Sequence, residues 1–185
     1  MEAAVFAIIA CGYEARCALE DSDSGTPRLQ RIIALIRECR LSIHDFSRTG
    51  ANPHPRFNMP FEFGLVLGAR YYGQNAQRRK RCLVVATERH DYQRFISDIS
   101  GQDIEAHHDS ETELIAQVRQ FLRGDAGRRS LPGPAEIGRY YQAFKRDLPR
   151  LCQLPQFRYD LANLHIADHV NLISAFLSEA GWEIV

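Results

Sequence analysis

Along the chain, unbroken apolar runs of strand length alternate with segments whose apolar residues recur every three or four positions. Val5-Phe6-Ala7-Ile8-Ile9-Ala10 has no polar break, and it predicts a central parallel strand covered on both faces that turns at Cys11-Gly12-Tyr13. Residues 41–46 predict a second strand, 82–86 a third, and 103–107 a shorter, more exposed one. A carboxy-terminal stretch returning to the sheet would add a fifth. Between these runs lie the helical patterns. Residues 14–20 have room for one or two turns. Thr26-Pro27 opens a helix with Leu29, Ile32, Ile33 and Ile36 inward, and a short helix is expected from Glu88 through Ile96. Ser110 and Glu113 have capping-box spacing ahead of Leu114, Ile115, Val118, Phe121 and Leu122. Strand and helix in alternation imply an α/β fold with a parallel sheet flanked by helices.

After residues 124–134, rich in Gly, Arg and Pro, the pattern changes. Residues 134–151 and 165–180 read as two amphipathic helices, the first carrying Ile137, Tyr140, Tyr141, Phe144 and Leu148. The expected organisation is an α/β domain over 1–123 and a helical extension over 134–185. Two such helices have too little core of their own, so they are expected to cover the α/β unit or to support a homo-oligomer.

The segment Arg56-Phe57-Asn58-Met59-Pro60-Phe61-Glu62-Phe63-Gly64 is read as a loop turning into a buried helix. Asn58 is the candidate cap, Pro60 falls in the first turn, and the residues from Phe61 to Tyr72 are apolar on every side. Gly64 and Gly68, four apart, suggest close packing on the sheet. One acid, Glu62, stands in this apolar setting. A capping role accounts for it simply, since a first-turn Glu can fold back on the cap. Its surroundings point further. The strand before it ends in Asp45, Ser47 and Arg48, and a strand end, a polar loop and a buried helix start make a common site in parallel α/β folds.

Composition narrows the classes. The 185 residues carry 23 basic and 23 acidic side chains, a balance that argues against a dedicated nucleic-acid partner. The run Arg78-Arg79-Lys80-Arg81 is expected in a solvated loop. No apolar run is long enough for a bilayer, and the amino-terminal run lacks a basic leader, so no membrane partner and a cytoplasmic location are expected. None of the five cysteines forms a Cys-x-x-Cys pair. Cys11 at a strand end is a candidate reactive thiol, and Cys39 and Cys82 read as small buried hydrophobes. His107-His108-Asp109 are adjacent and not spaced to converge, and His165 and His169, four apart on an expected helix, lack a third ligand, so no metal and no cofactor are expected.

The apolar first run, the helix ending Ile36-x-x-Cys39, the strand Ser42-Ile43-His44-Asp45-Phe46-Ser47 and the motif Asn58-Met59-Pro60-Phe61-Glu62-Phe63-Gly64 together resemble the nucleoside 2-deoxyribosyltransferase-like and Toll/interleukin-1-receptor (TIR)-like group. That resemblance covers roughly residues 3–123 by architecture, and by residue type only the short motif. It implies a flavodoxin-like fold, and a helix-start glutamate used against a sugar held by an N-glycosidic bond. Phe61-Glu62-Phe63-Gly64 matches the family's Phe/Tyr-Glu-Leu-Gly, and Asp45 matches its acidic strand end. The loop 49–57 and the Cys11-Gly12-Tyr13 turn depart from the family pattern.

Elementary chemistry agrees with this assignment. N-glycosidic cleavage builds positive charge on the anomeric carbon, and a shielded carboxylate can stabilise or attack it. Glu62 takes that role, with Asp45 binding sugar hydroxyls or protonating the departing base. Arg48 or Arg56 is placed to hold a phosphate, Tyr13 to stack, and Cys11, Gly12, Ser47 and Asn58 to line the site. The expected activity is hydrolysis or base exchange on a nucleoside, a nucleotide or NAD, the last as substrate (a nucleosidase, NADase or deoxyribosyltransferase). The alternative is a nucleotide-sensing or assembly module of TIR-like fold without turnover. A flavin- or phosphate-binding protein fits less well, because the first turn offers a single glycine.

Overall fold

The computed structural model describes residues 1–20, 23–49 and 56–182. In chain order its main elements are α1 (Glu2–Ala10), α2 (Arg28–Glu38), β1 (Leu41–Asp45), α3 (Asn58–Tyr72), β2 (Arg81–Ala86), β3 (Ile104–Ala106), α4 (Glu111–Arg123), α5 (Pro134–Cys152) and α6 (Ile166–Glu179). The chain is α/β, with an all-parallel sheet in the order β1-β2-β3. It forms two compact units: Asp23–Ser110, which holds the sheet, and Met1–Ser22 with Glu111–Val185, which is helical.

In the sheet unit, Leu41 pairs with Arg81 and Asp45 with Val85, and Phe46 extends the ladder by donating its N–H to Val85 O at 2.7 Å. The three strands run in sequence order, so their carboxyl ends form one continuous edge. Helix α3 crosses from β1 to β2 and packs on β1 and against α2. Its buried side chains are Phe63 and Val66. Phe63 meets the His44 ring at 5.3 Å and the Phe46 ring at 5.8 Å, inside a core with Val84, Ala86, Tyr92 and Ile104. Because those two partners lie at the carboxyl end of β1, the start of α3 belongs to that same edge of the sheet.

The helix is not apolar-buried on all sides, as its composition suggested: Phe61, Tyr71 and Tyr72 are exposed. Gly64 and Gly68 do not mediate close packing either, since a Cβ built on either meets no atom within 4 Å. The contact face is the Phe63–Val66 stripe, offset around the helix from both glycines. Lys80 corrects the solvated-loop expectation for its basic run. It is 4 % exposed, and its Nζ donates to the carbonyls of Ile36 and Cys39, closing the end of α2.

The largest difference is at the amino terminus. Residues 5–10 form the body of α1, not a strand. Ala3, Phe6, Ala7 and Ala10 are all buried, a spacing of three and four that belongs to a helix. Phe6 is fully buried and lies 5.4 Å from the Tyr141 ring, 5.5 Å from Phe144 and 6.4 Å from Phe176. Helix α1 packs on α4, α5 and α6. The two carboxy-terminal helices thus build their core with α1 and α4, so the compact units divide at 22/23 and 110/111, not at 123/134. The glycine-rich stretch after α4 is tied down within that unit: Arg119 donates to Pro132 O at 2.9 Å and Leu131 O at 3.1 Å, and Leu131 is buried. Residues 14–20 make a turn instead of a helix, and 88–96 hold only the 3-10 turn Asp91–Arg94. No helix among the described residues is long and apolar enough to cross a membrane.

Candidate active site

Two groups of polar side chains meet the carboxyl edge of the sheet. The first is Glu62. Helix α3 begins at Asn58 with Phe57 as its cap residue, and no side chain caps it. Asn58 is therefore the first helical residue, exposed, and not the expected cap. Glu62 is fifth in the helix, beyond reach of a capping box, which removes the simplest structural account of it. Its side chain is 14 % exposed, and Oε1 lies 3.8 Å from Arg28 Nη2 at the start of α2. Burial pushes its carboxyl above the usual range, and the Arg28 charge opposes that shift. The positive end of a helix favours an ionised acid. Its field fades within the first turn, so desolvation prevails at this position.

The second group closes β1. Asp45 Oδ1 accepts from the backbone N–H of Ser47 at 2.9 Å and from the Ser47 hydroxyl at 2.5 Å, an Asx turn with an added side-chain bond. Ser47 Oγ also lies 2.9 Å from His107 Nε2, and that nitrogen is 3.9 Å from Asp45 Oδ1. His107 follows β3, extends the ladder by donating its N–H to Ala86 O at 2.9 Å, and is 6 % exposed. Immediately behind it, His108 and Asp109 both take left-handed backbone conformations, φ 49° and 54°, and turn the chain toward α4. The sequence pattern singled out Asp45 and Ser47 but not His107. Its adjacency to His108 and Asp109 carries no signal of this role, and its pairing with Ser47, 60 residues earlier, is a product of strand order.

No family model, curated protein or solved structure matches this chain. The assignment of roles therefore rests on geometry and chemistry.

Arg48 and Arg56 are exposed and joined through the backbone, Arg56 N–H donating to Arg48 O at 2.8 Å. Most of the divergent loop, residues 50–55, lies outside the described residues. Cys11, Gly12 and Tyr13 are not strand-end residues, because the expected first strand is α1. Cys11 closes that helix fully buried, Gly12 follows in the left-handed region at φ 76°, and Tyr13 stacks under Arg129 and reaches Asp125 Oδ2 at 3.3 Å. Burial pushes the Cys11 thiol up to about 11, which disfavours the thiolate at neutral pH. A cleft of about 370 Å³ between Leu131, Tyr140 and Trp182 and one of about 190 Å³ beside Arg89 and Tyr92 include neither Glu62 nor Asp45. Among the described residues no three His, Cys, Asp or Glu side chains converge on a metal position.

Proposed function

We propose that the chain cleaves or exchanges an N-glycosidic bond in a nucleoside, nucleotide or NAD-type substrate. The observation that carries this reading is Glu62: a shielded carboxylate with no capping role, at the carboxyl edge of a parallel sheet, where Asp45, Ser47 and His107 also stand. Its low exposure suits a group that must meet a cationic anomeric carbon without water between them. The Arg28 charge favours its ionised form and partly offsets the burial that opposes it. Asp45 presents a half-exposed carboxyl for the sugar hydroxyls or for the leaving base, and the two exposed arginines of the adjoining loop suit a phosphate.

Incubation with a panel of nucleosides, nucleotides and NAD, with free base followed by chromatography, tests this directly. Glu62→Gln is expected to lower base release by about a hundredfold or more, the size of a lost electrostatic contribution in a shielded site. The fold should survive. Because burial raises the Glu62 carboxyl, ionisation is penalised in the folded state, and any stability tied to its protonated form is lost as pH rises. At pH 7 the Gln variant should therefore melt at the wild-type temperature or slightly above it. Undiminished base release in a well-folded Gln variant overturns the assignment. Tight nucleotide binding with no base release from any substrate would favour the non-catalytic sensing module instead.

A further inference from the structure

We propose that His107 is a positioning residue that delivers a proton to the departing base through Ser47 and Asp45; the inference rests on the N-glycosidic reading above. The direction of the chain follows from donor chemistry. Asp45 as a carboxylate only accepts, and its bond to Ser47 Oγ is 2.5 Å, so the serine hydrogen lies toward Asp45. The 2.9 Å contact between Ser47 Oγ and His107 Nε2 then requires Nε2 to carry the donating hydrogen. The order is His107 Nε2–H to Ser47 Oγ, and Ser47 Oγ–H to Asp45 Oδ1. A direct bond from the ring to Asp45 is excluded at 3.9 Å. The serine thus bridges them.

This differs from a nucleophilic triad. There the imidazole takes the serine proton at one nitrogen and the carboxylate holds the other. Here Asp45 and Ser47 both sit at Nε2, and Ser47 spends its hydrogen on the carboxylate, so its oxygen is not activated for attack. The same geometry suits proton conduction. Starting from imidazolium and carboxylate, Nε2–H passes to Ser47 Oγ as Oγ–H passes to Asp45 Oδ1, leaving neutral imidazole and a carboxylic acid. The C–N bond of the substrate breaks with its electron pair going to the base nitrogen, and Asp45 gives that nitrogen the proton. The balance is one proton from His107 to the base, with the cationic sugar facing Glu62. Asp45 Oδ1 on β1 lies 3.9 Å from His107 Nε2, and burial at 6 % exposure isolates the ring from bulk water. Asp45, half exposed, is the end that a substrate can reach.

Leaving-group chemistry provides the test. A neutral purine or pyrimidine nucleoside needs a proton on its departing base. NAD does not, because the bond electrons neutralise its cationic nicotinamide ring. His107→Gln retains an N–H donor for Ser47 but cannot supply a proton. Ser47→Ala removes the bridge at a half-buried site and serves if the first variant folds poorly. Both variants are expected to slow base release from neutral nucleosides at least about tenfold, within the range of general acid catalysis. The loss should be selective, with nicotinamide release from NAD falling far less than base release from neutral nucleosides, whereas Glu62→Gln slows both reactions. Equal slowing of both substrates by His107→Gln, or of neither, overturns the relay and leaves the N-glycosidic reading standing. A wild-type chain that releases nicotinamide but no base from neutral nucleosides does the same. A wild type that releases no base from any substrate overturns both.

Discussion

His44 is the residue whose titration should dominate the acid stability of the sheet unit. It lies on β1, 5 % exposed, with its ring edge-on to Phe63 of α3 and Nε2 3.0 Å from Ser42 Oγ. Burial lowers its proton affinity from the ordinary 6.5 to about 4. The sign follows directly. Below pH 6.5 the unfolded chain protonates His44 while the folded chain does not, so stability falls as pH drops and levels off near pH 4. A difference of about 2.5 pH units at 1.36 kcal/mol each corresponds to about 3 kcal/mol. That is a large fraction of a typical folding free energy. Urea unfolding, followed through the NMR intensities of the Val84 and Val85 amides on the neighbouring strand, should show the loss between pH 6.5 and 4 in the wild type. His44→Phe keeps a ring against Phe63 and removes the titration, so its curve should be flat over that window apart from what other groups contribute. Those groups cancel in the difference between the two proteins. Parallel curves for wild type and variant would refute the reasoning, and would mean that the ring accepts a proton in the folded state at little cost.

Lys80→Met keeps the buried stem but leaves the Ile36 and Cys39 carbonyls without their donor, and should cost about 1.5–3 kcal/mol in urea unfolding; an unchanged midpoint would show that water replaces the ammonium. Gly64→Ala and Gly68→Ala add a methyl to helix positions that meet nothing within 4 Å, and each should stabilise by about 0.5–1 kcal/mol, a gain that a fall in melting temperature would contradict. In native protein treated with iodoacetamide at pH 8, peptide mapping should find Cys11 unmodified, given its full burial and a thiol pushed up to about 11; labelling at the rate of a free thiol would show that α1 opens readily.

Local pattern alone determined much of this protein. Strands β1 and β2 were legible because Ile43, Leu83, Val84 and Val85 sit in short β-branched or leucine-rich runs bounded by polar residues, and helices α2, α4, α5 and α6 because their apolar spacing near 3.6 leaves no alternative. Glu62 and Asp45 stood out for the same local reason, as acids at element ends. The run 5–10 marks the limit of such reasoning. A continuous apolar segment buries Phe6 equally well as strand or helix, worth about 2–3 kcal/mol either way, so periodicity cannot choose between them. The choice fell to Ala3, Ala4, Ala7 and Ala10, good helix formers, and to the aromatic faces of α5 and α6 that receive Phe6. Other features existed only once the chain had folded. His107 meets Ser47 because β3 lies two places from β1 in a parallel sheet, and no spacing along the chain encodes a contact across 60 residues. Lys80 looked like one more charge in a basic run until the end of α2 came down on it with two carbonyls to satisfy. Glu62 is read as a capping residue from its neighbours and as a partly buried carboxylate from its position, because the start of a helix shifts by a few residues at almost no local cost and only packing against α2 and β1 decides where it falls.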